Sequence, residues 1–369
     1  MHKIIHLTSA HPRSDTRIFV KMCCSLAKNN YDVCLIVADG LGDELINSVQ
    51  VFDVGAKSGG RLSRMTRTVN QVFEKAKLLD ADIYHLHDPE LIPTGLKLKS
   101  LGKKVIFDAH EDLPKQLLGK SYLNKPLRYI MSKAFEYYEN WACAKFDAIV
   151  AATPFIRDKF LKINSCVEDI NNFPIIKELE NAGAWSEKKQ EVCYIGSIAR
   201  VRGVEEIVNA MPYLKDVRLN LAGSFAEEAL EKDVKASEGW SRVNELGFLD
   251  RQGVKDVLAR SKVGLVTLHP IINYLDALPV KMFEYMAAGI PVLASDFPLW
   301  KGIVTGSACG VCVNPKNPKE IAQAIEYLLN NPVEAEKMGE KGRQAVQNKY
   351  NWGIEEAKLV NLYEGLFHC

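Results

Sequence analysis

The chain has 369 residues, enough for two α/β domains with separate cores. Apolar residues make up 47% and charged residues 25%, a globular balance, and a net charge of +1 leaves no overall field to recruit nucleic acid. Residues 1–8 hold too short an apolar run for a signal peptide, and no stretch reaches the length of a membrane span. Nine cysteines, scattered through predicted helices and strands, read as small core side chains of a reduced cytoplasmic protein. Cys309-Gly-Val-Cys312 lacks the second ligand pair that a zinc site needs.

Lys3–Leu7 predicts a first strand, residues 16–28 a helix with Ile18, Phe19, Met22 and Leu26 on its apolar face, and residues 33–37 a second strand. The loop at 11–17 has no glycine, so a nicotinamide or flavin fingerprint is absent. Arg13 and Arg17 in that loop are placed to meet an anion, or are simply surface arginines. Residues 57–77 carry Lys57, Arg61, Arg64, Arg67, Lys75 and Lys77 against Glu74 alone. A solvated helix face is the ordinary reading of that run; contact with anionic lipid head groups or a lipid-linked pyrophosphate is the other.

Residues 82–87 form a strand that ends in His85, His87 and Asp88. Alternation sends both histidines to one face, at the carboxyl edge where open α/β sheets bind ligands. His87 is set to meet a ligand and His85 is structural. Asp80 and Asp82 look like a metal-binding DxD pair but lie at the strand's start, away from any ligand. The strand at 104–107 runs into Asp108, His110 and Glu111, and a histidine just past a strand end is well placed to meet a ligand. Residues 126–145 predict a helix whose aromatics, Tyr129, Phe135, Tyr137, Tyr138 and Trp141, are mostly core, with an exposed subset beside Lys125, Arg128 and Lys133 that suits a membrane surface. Ala148–Ala151 closes this half.

Residues 171–190 are polar and aperiodic, a hinge, after which Glu191–Ile195 restarts the alternation of strand and helix. Gly196 permits close backbone approach, and Arg202, followed by Gly203 and a helix at 204–211, is spaced to clamp a diphosphate. Phe248 sits after another strand, where an ordinary core aromatic is the simple reading. Asp276 lies ahead of a helix that starts at Pro279 and stops at Gly289, and Glu284 lies about one turn inside it. Lys281 puts a cation in the first turn, where the helix dipole disfavours it, so an anion is the natural compensation. Residues 290–294 are a buried strand, 318–329 and 333–348 are covering helices, and 353–367 a final helix.

Asp276 and Glu284 resemble the Glu-x7-Glu element of the family 4 retaining glycosyltransferases, and His110 and the Gly196 to Gly203 loop match that family in order and spacing. The resemblance covers nearly the whole chain. It implies the GT-B fold: α/β, with two Rossmann-like domains facing a central cleft. The acceptor-side domain would be 1–172, the linker 173–190, the nucleotide-sugar domain 191–350, and 351–369 a helix crossing back to the first domain. The implied reaction moves a sugar from a nucleotide-sugar, a UDP-sugar favoured, to a hydroxyl of a glycan or polyprenyl-diphosphate-linked acceptor with retained configuration, no cofactor and no divalent metal.

By the same resemblance Glu284 holds the ribose, Asp276 the sugar hydroxyls, and His110 orients the sugar. Gly196, Arg200, Arg202 and Lys281 meet the diphosphate, Leu278 and Val280 offer backbone at the helix start, and Phe248 neighbours the base. Arg13, Arg17 and His87 fall on the acceptor side. Three departures stand out: Ser197 replaces an arginine, Asp276 is one methylene shorter than glutamate, and Pro279 removes an N–H where glycine is usual. The family also implies bacterial surface-polysaccharide synthesis, in the cytoplasm or peripherally on the inner membrane. The alternatives are a nucleotide-sugar epimerase of the same fold and a non-catalytic scaffold; the acidic pair and Arg202 favour the transferase.

Overall fold

Short runs of β-branched and aliphatic residues, each closed by Gly, Asp or a polar turn, build two sheets in the computed structural model, which describes residues 2–57, 60, 63–119, 124–179 and 183–368. The chain divides into two units, residues 1–172 with 353–369, and residues 173–352. The polar stretch after 172 belongs to the second unit and holds a helical turn, Ile176–Leu179. Arg61 lies outside the described residues.

The first unit carries an eight-stranded sheet ordered β3-β4-β2-β1-β5-β6-β7-β8. Its strands are β1 (Lys3–Leu7), β2 (Asp32–Val37), β3 (Glu44–Ile46), β4 (Val49–Asp53), β5 (Ile83–Leu86), β6 (Lys104–Ala109), β7 (Ala148–Ala151) and β8 (Val167–Asp169). All pairings are parallel except β3 with β4, a hairpin at the edge that periodicity does not reveal. Ile5, Leu7, Tyr84, Leu86, Val105 and Phe107 are fully or almost fully buried on one face, as a parallel sheet covered by helices requires. The order reverses between β1 and β5, where His6 pairs with His85. The predicted helix at 16–28 begins with π-helical turns, Thr16–Cys23, and ends as an α-helix, Cys24–Lys28. The Asp15 carboxylate caps it, accepting from the N–H groups of Arg17 and Ile18. The final helix, Trp352–His368, belongs mainly to this unit and seals it with buried Leu359 and Tyr363.

The second unit holds six parallel strands ordered β11-β10-β9-β12-β13-β14. They are β9 (Glu191–Ile195), β10 (Arg218–Ala222), β11 (Val243–Gly247), β12 (Val263–Val266), β13 (Val292–Ser295) and β14 (Gly310–Val313). Counted within the unit this is the doubly wound order 3-2-1-4-5-6, which opens a crevice at the carboxyl ends of β9 and β12. Two apolar layers cover the sheet, one around Phe283, Tyr285 and Trp300, the other around Tyr194, Val208 and Leu221. Pro279 caps the Val280–Ala287 helix from outside rather than forming its first residue, and Gly289, with φ at 69°, turns the chain back into β13.

Candidate functional site

In the second unit, Gly196, Arg202 and Lys281 come together at the carboxyl end of β9. Gly196 follows β9 with φ at 130°, a conformation that side chains avoid. A Cβ added there would lie 3.0 Å from Lys281 Nζ and 3.9 Å from Arg202 Nη1, so glycine leaves the backbone open beside two cations. Gly203 packs even closer: a Cβ would fall on the Thr267 carbonyl, and its φ is 72°. The His269 N–H donates to the Val201 carbonyl at 2.9 Å, joining the loops that follow β9 and β12.

Lys281 is buried, stands 3.6 Å over the Tyr194 ring, and its Nζ makes no hydrogen bond among the described residues. Burial first, then the neighbouring Arg202, drive its pKa well below the lysine range, against the pull of Glu284. An ammonium left in such a place without a partner is destabilising, and a bound anion would relieve it. Arg200, expected beside it, is committed elsewhere: its guanidinium donates to Glu205 and, at 2.6 Å, to Asp233. Of Arg200 and Lys281, both expected at the diphosphate, only Lys281 stands at Gly196.

Glu284 is half-buried and takes Arg251 Nη1 at 2.7 Å on one oxygen, while Arg251 Nη2 reaches Glu178 at 2.6 Å. Arg251 was not among the expected residues. It opens the Arg251–Arg260 helix capped by Asp250, and a cation in a first turn is the same signal that marks Lys281. Asp276 lies in the loop before the Val280–Ala287 helix, anchored where Trp300 Nε1 donates to the Ala277 carbonyl at 2.7 Å. Leu278 and Val280 flank Pro279 and are half-buried. Phe248 is 84% exposed after the turn at Gly247, so it is not a core aromatic.

In the first unit the hub is Asp108, at the end of β6 and fully buried. Arg17 grips it through Nε (3.0 Å) and Nη2 (2.7 Å), His87 Nδ1 lies 3.0 Å away, and His110 Nε2 2.7 Å. Burial alone would raise this carboxyl, but Arg17 and the two histidines outweigh it and hold it well below the usual range. Because an ionised Asp108 only accepts, both facing ring nitrogens carry protons. His110 thereby turns Nδ1 away from Asp108. His87 Nε2 accepts from His6 Nδ1 at 2.8 Å, and the Tyr363 hydroxyl pairs with His85 Nδ1 at 2.8 Å, leaving His85 Nε2 buried without a partner among the described residues. Burial keeps His6, His85 and His87 below the ordinary histidine pKa, so this row is neutral.

The arginines expected at an acceptor anion are instead taken up by carboxylates of their own unit. Arg13 donates to Asp39 at 2.7 and 2.8 Å and to Glu44 at 3.0 Å, and Arg17 is locked on Asp108. Sequence alone could not show this, because Asp39 lies 26 residues from Arg13 and Asp108 lies 91 from Arg17. A second carboxylate, Asp88, collects Thr8, Ser9 and Ala10 at the β1/β5 reversal, including the Ser9 N–H at 2.6 Å. Beside it opens a cavity of about 250 Å³ lined by His11, His87, Asp88, His110, Glu111 and Gln116 among others. Two groups of three, His6 with His85 and His87, and His87 with Asp108 and His110, bring ligand atoms within 4.8 Å among the described residues. In the second group both histidines are hydrogen-bonded to Asp108, while in the first His6 bonds His87 and His85 bonds Tyr363 instead.

Residues 16–171 match the model of "Glycosyltransferase Family 4", and residues 175–345 that of "Glycosyl transferases group 1". An uncharacterized glycosyltransferase of Methanocaldococcus jannaschii, MJ1607, is 22% identical over 92% of this chain and 91% of its own length. Among solved structures, the sucrose-phosphate synthase of Thermosynechococcus elongatus aligns over 100% of both chains with a TM-score of 0.77 and 18% identity. Anabaena Alr3699/HepE, solved in complex with UDP and glucose, aligns over 99% of this chain and 100% of its own with a TM-score of 0.74 and 12% identity. The fold is thus GT-B, as the sequence implies.

Proposed function

Because the chain belongs to the family 4 glycosyltransferases, we propose that it moves a hexosyl or N-acetylhexosaminyl group from a nucleotide-sugar to an acceptor hydroxyl with retention of configuration. The observation that carries this reading is Lys281, a buried cation with no hydrogen-bond partner, set with Arg202 against the open backbone of Gly196. A diphosphate supplies the charge this place lacks. As the bond between the anomeric carbon and the diphosphate breaks, negative charge grows on the leaving oxygen. Lys281, Arg202 and the N–H groups at the start of the Val280–Ala287 helix are placed to stabilise it. That is the role a divalent metal plays in other transferases, and the proposed reaction uses no metal.

Glu284 keeps one carboxylate oxygen beyond its bond to Arg251 for a ribose hydroxyl, Phe248 offers an exposed face to a base, and Asp276 is assigned to the sugar hydroxyls. His110, held by Asp108, is assigned to a sugar hydroxyl. The acceptor oxygen attacks on the face from which the diphosphate departs, and its proton passes to a phosphate oxygen of the donor. UDP in the HepE complex supports a UDP-sugar. The acceptor is a glycan or a lipid-linked sugar of a surface-polysaccharide pathway, met in the cytoplasm or at the cytoplasmic face of a membrane. A thermal-shift panel of nucleotide-sugars tests the donor, since a ligand specific to the folded state raises its melting temperature. Proton NMR of the product tests retention. No shift with any nucleotide-sugar, or an inverted product, rejects the reading.

A further inference from the structure

His87, Asp108 and His110 stand at the carboxyl ends of the paired strands β5 and β6, and one oxygen of Asp108 serves both rings. His87 Nδ1 lies 3.0 Å and His110 Nε2 2.7 Å from the same Oδ2, which also accepts from Arg17 Nε at 3.0 Å. A carboxylate oxygen offers about two lone-pair sites, so three donors crowd it. One cation set between Oδ2 and the two ring nitrogens would replace two of those protons and leave the other lone pair to Arg17. The three ligand atoms already lie within 4.8 Å of one another. Around a tetrahedral ion with bonds of about 2.1 Å, ligand atoms stand roughly 3.4 Å apart, so each ring need draw back by less than about 1 Å.

The groups behind these three suit a metal. A ligating histidine is held through its second nitrogen, and a ligating carboxylate by further hydrogen bonds. His87 Nε2 meets His6 Nδ1 at 2.8 Å, and Asp108 Oδ1 takes Arg17 Nη2 at 2.7 Å. To turn a lone pair to the ion, the His87 ring moves its proton to Nε2, and its bond to His6 keeps the same atoms and reverses direction. The His6 proton then sits on Nε2, 3.5 Å from the Tyr363 hydroxyl. The cavity of about 250 Å³ is lined by all three ligands, which gives an ion a path in and room for a water as fourth ligand. Arg17 is spent on Asp108, and the Asp88 and Glu111 side chains line the same cavity, so its walls do not repel a cation. Two imidazoles with one carboxylate favour zinc or cobalt over magnesium and calcium, which take oxygen ligands.

We propose that His87 Nδ1, Asp108 Oδ2 and His110 Nε2 form a site for a zinc-type divalent cation, and that the ion inhibits transfer by taking His110 from the sugar. The inhibition rests on the transferase reading, in which the reaction itself uses no metal; the binding does not. The full chain, stripped with EDTA and dialysed, is melted with Zn²⁺ or Mg²⁺ added. Expected is a rise in melting temperature with Zn²⁺ and none with Mg²⁺, because an ion bound only by the folded state stabilises it. Equilibrium dialysis should give one tight Zn²⁺ per chain. His110→Gln, at the cavity wall, should bind Zn²⁺ at least tenfold more weakly, while His368→Gln, at an exposed histidine, should bind as the wild type does. Nitrogen NMR of the wild type labelled at its eight histidines reads the ligands without any substitution: one ring should be bound through Nδ1 and one through Nε2. No uptake of Zn²⁺, equal uptake by His110→Gln, or two rings bound through the same nitrogen overturns the site. Transfer should fall at least tenfold at saturating Zn²⁺ and return in EDTA; transfer that Zn²⁺ leaves unchanged overturns the inhibition. Zinc binding without any nucleotide-sugar binding would instead sink the transferase reading and leave the site standing.

Discussion

Arg251 Nη1 donates to Glu284 Oε1 at 2.7 Å while its Nη2 holds Glu178 at 2.6 Å, so one guanidinium bridges two carboxylates. The bridge fixes the Glu284 side chain and offsets its charge next to the cations at Gly196. Arg251→Gln should weaken nucleotide-sugar binding about tenfold, the size expected when a half-exposed charged hydrogen bond is lost. It should also flatten the preference for a ribose over a 2′-deoxyribose nucleotide. Calorimetry with both nucleotides checks this; an unchanged ratio would show that the bridge does not orient Glu284.

Lys281→Met separates binding from folding. The substitution removes the cation on which a diphosphate would rest, and affinity for the nucleotide diphosphate should fall by roughly 2–5 kcal/mol, the usual cost of truncating one member of a desolvated charge pair. The unliganded protein should melt at the same temperature or higher, because a buried amino group without a hydrogen-bond partner has been replaced by a side chain that packs. A destabilised variant that still binds nucleotide would refute the role assigned to Lys281.

The depressed Lys281 pKa makes both properties depend on pH. An anion bound beside Nζ favours the proton again, so binding takes up protons in the window between the lowered pKa of the free protein and that of the complex, and affinity should decline as pH rises through it. Titrations in two buffers of different ionisation enthalpy measure that uptake. The sign reverses for folding. Between the lowered folded pKa and the ordinary lysine range the unfolded chain binds more protons, so the free protein gains stability from this group as pH rises through that window.

Asp108 is the opposite case. Its carboxyl is held low in the folded state, so its contribution is full above the ordinary carboxylate range and is lost only as pH falls through the lowered value. Asp108→Asn strands the buried Arg17 and should cost about 3–5 kcal/mol in urea unfolding. Adding Arg17→Met should recover part of that loss, and strict additivity would count against a coupled pair.

Transfer should persist at full rate in EDTA once a donor and acceptor are known, because the charge of the leaving group is assigned to Lys281, Arg202 and backbone amides. A rate restored only by Mn²⁺ or Mg²⁺ would overturn that assignment. Glu284→Ala should abolish turnover in the same assay while leaving the melting temperature nearly unchanged.

What the sequence determined by itself is local: the alternation of apolar strand and amphipathic helix, the glycines at 196, 203 and 289 where the backbone turns or packs too closely for a side chain, and the cation of Lys281 in a first helical turn. Each depends on neighbours within a few residues. The doubly wound strand order, the edge hairpin of β3 and β4, and the partners of the charged groups were decided by the tertiary structure. Arg13 and Arg17 look like anion contacts in the chain and prove to be clamps on Asp39 and Asp108. Lys281 looks no different from them, yet finds no carboxylate to pair with among the described residues. A charge shows its sign in the sequence, but whether it is satisfied depends on residues dozens of positions away that only folding brings within 3 Å.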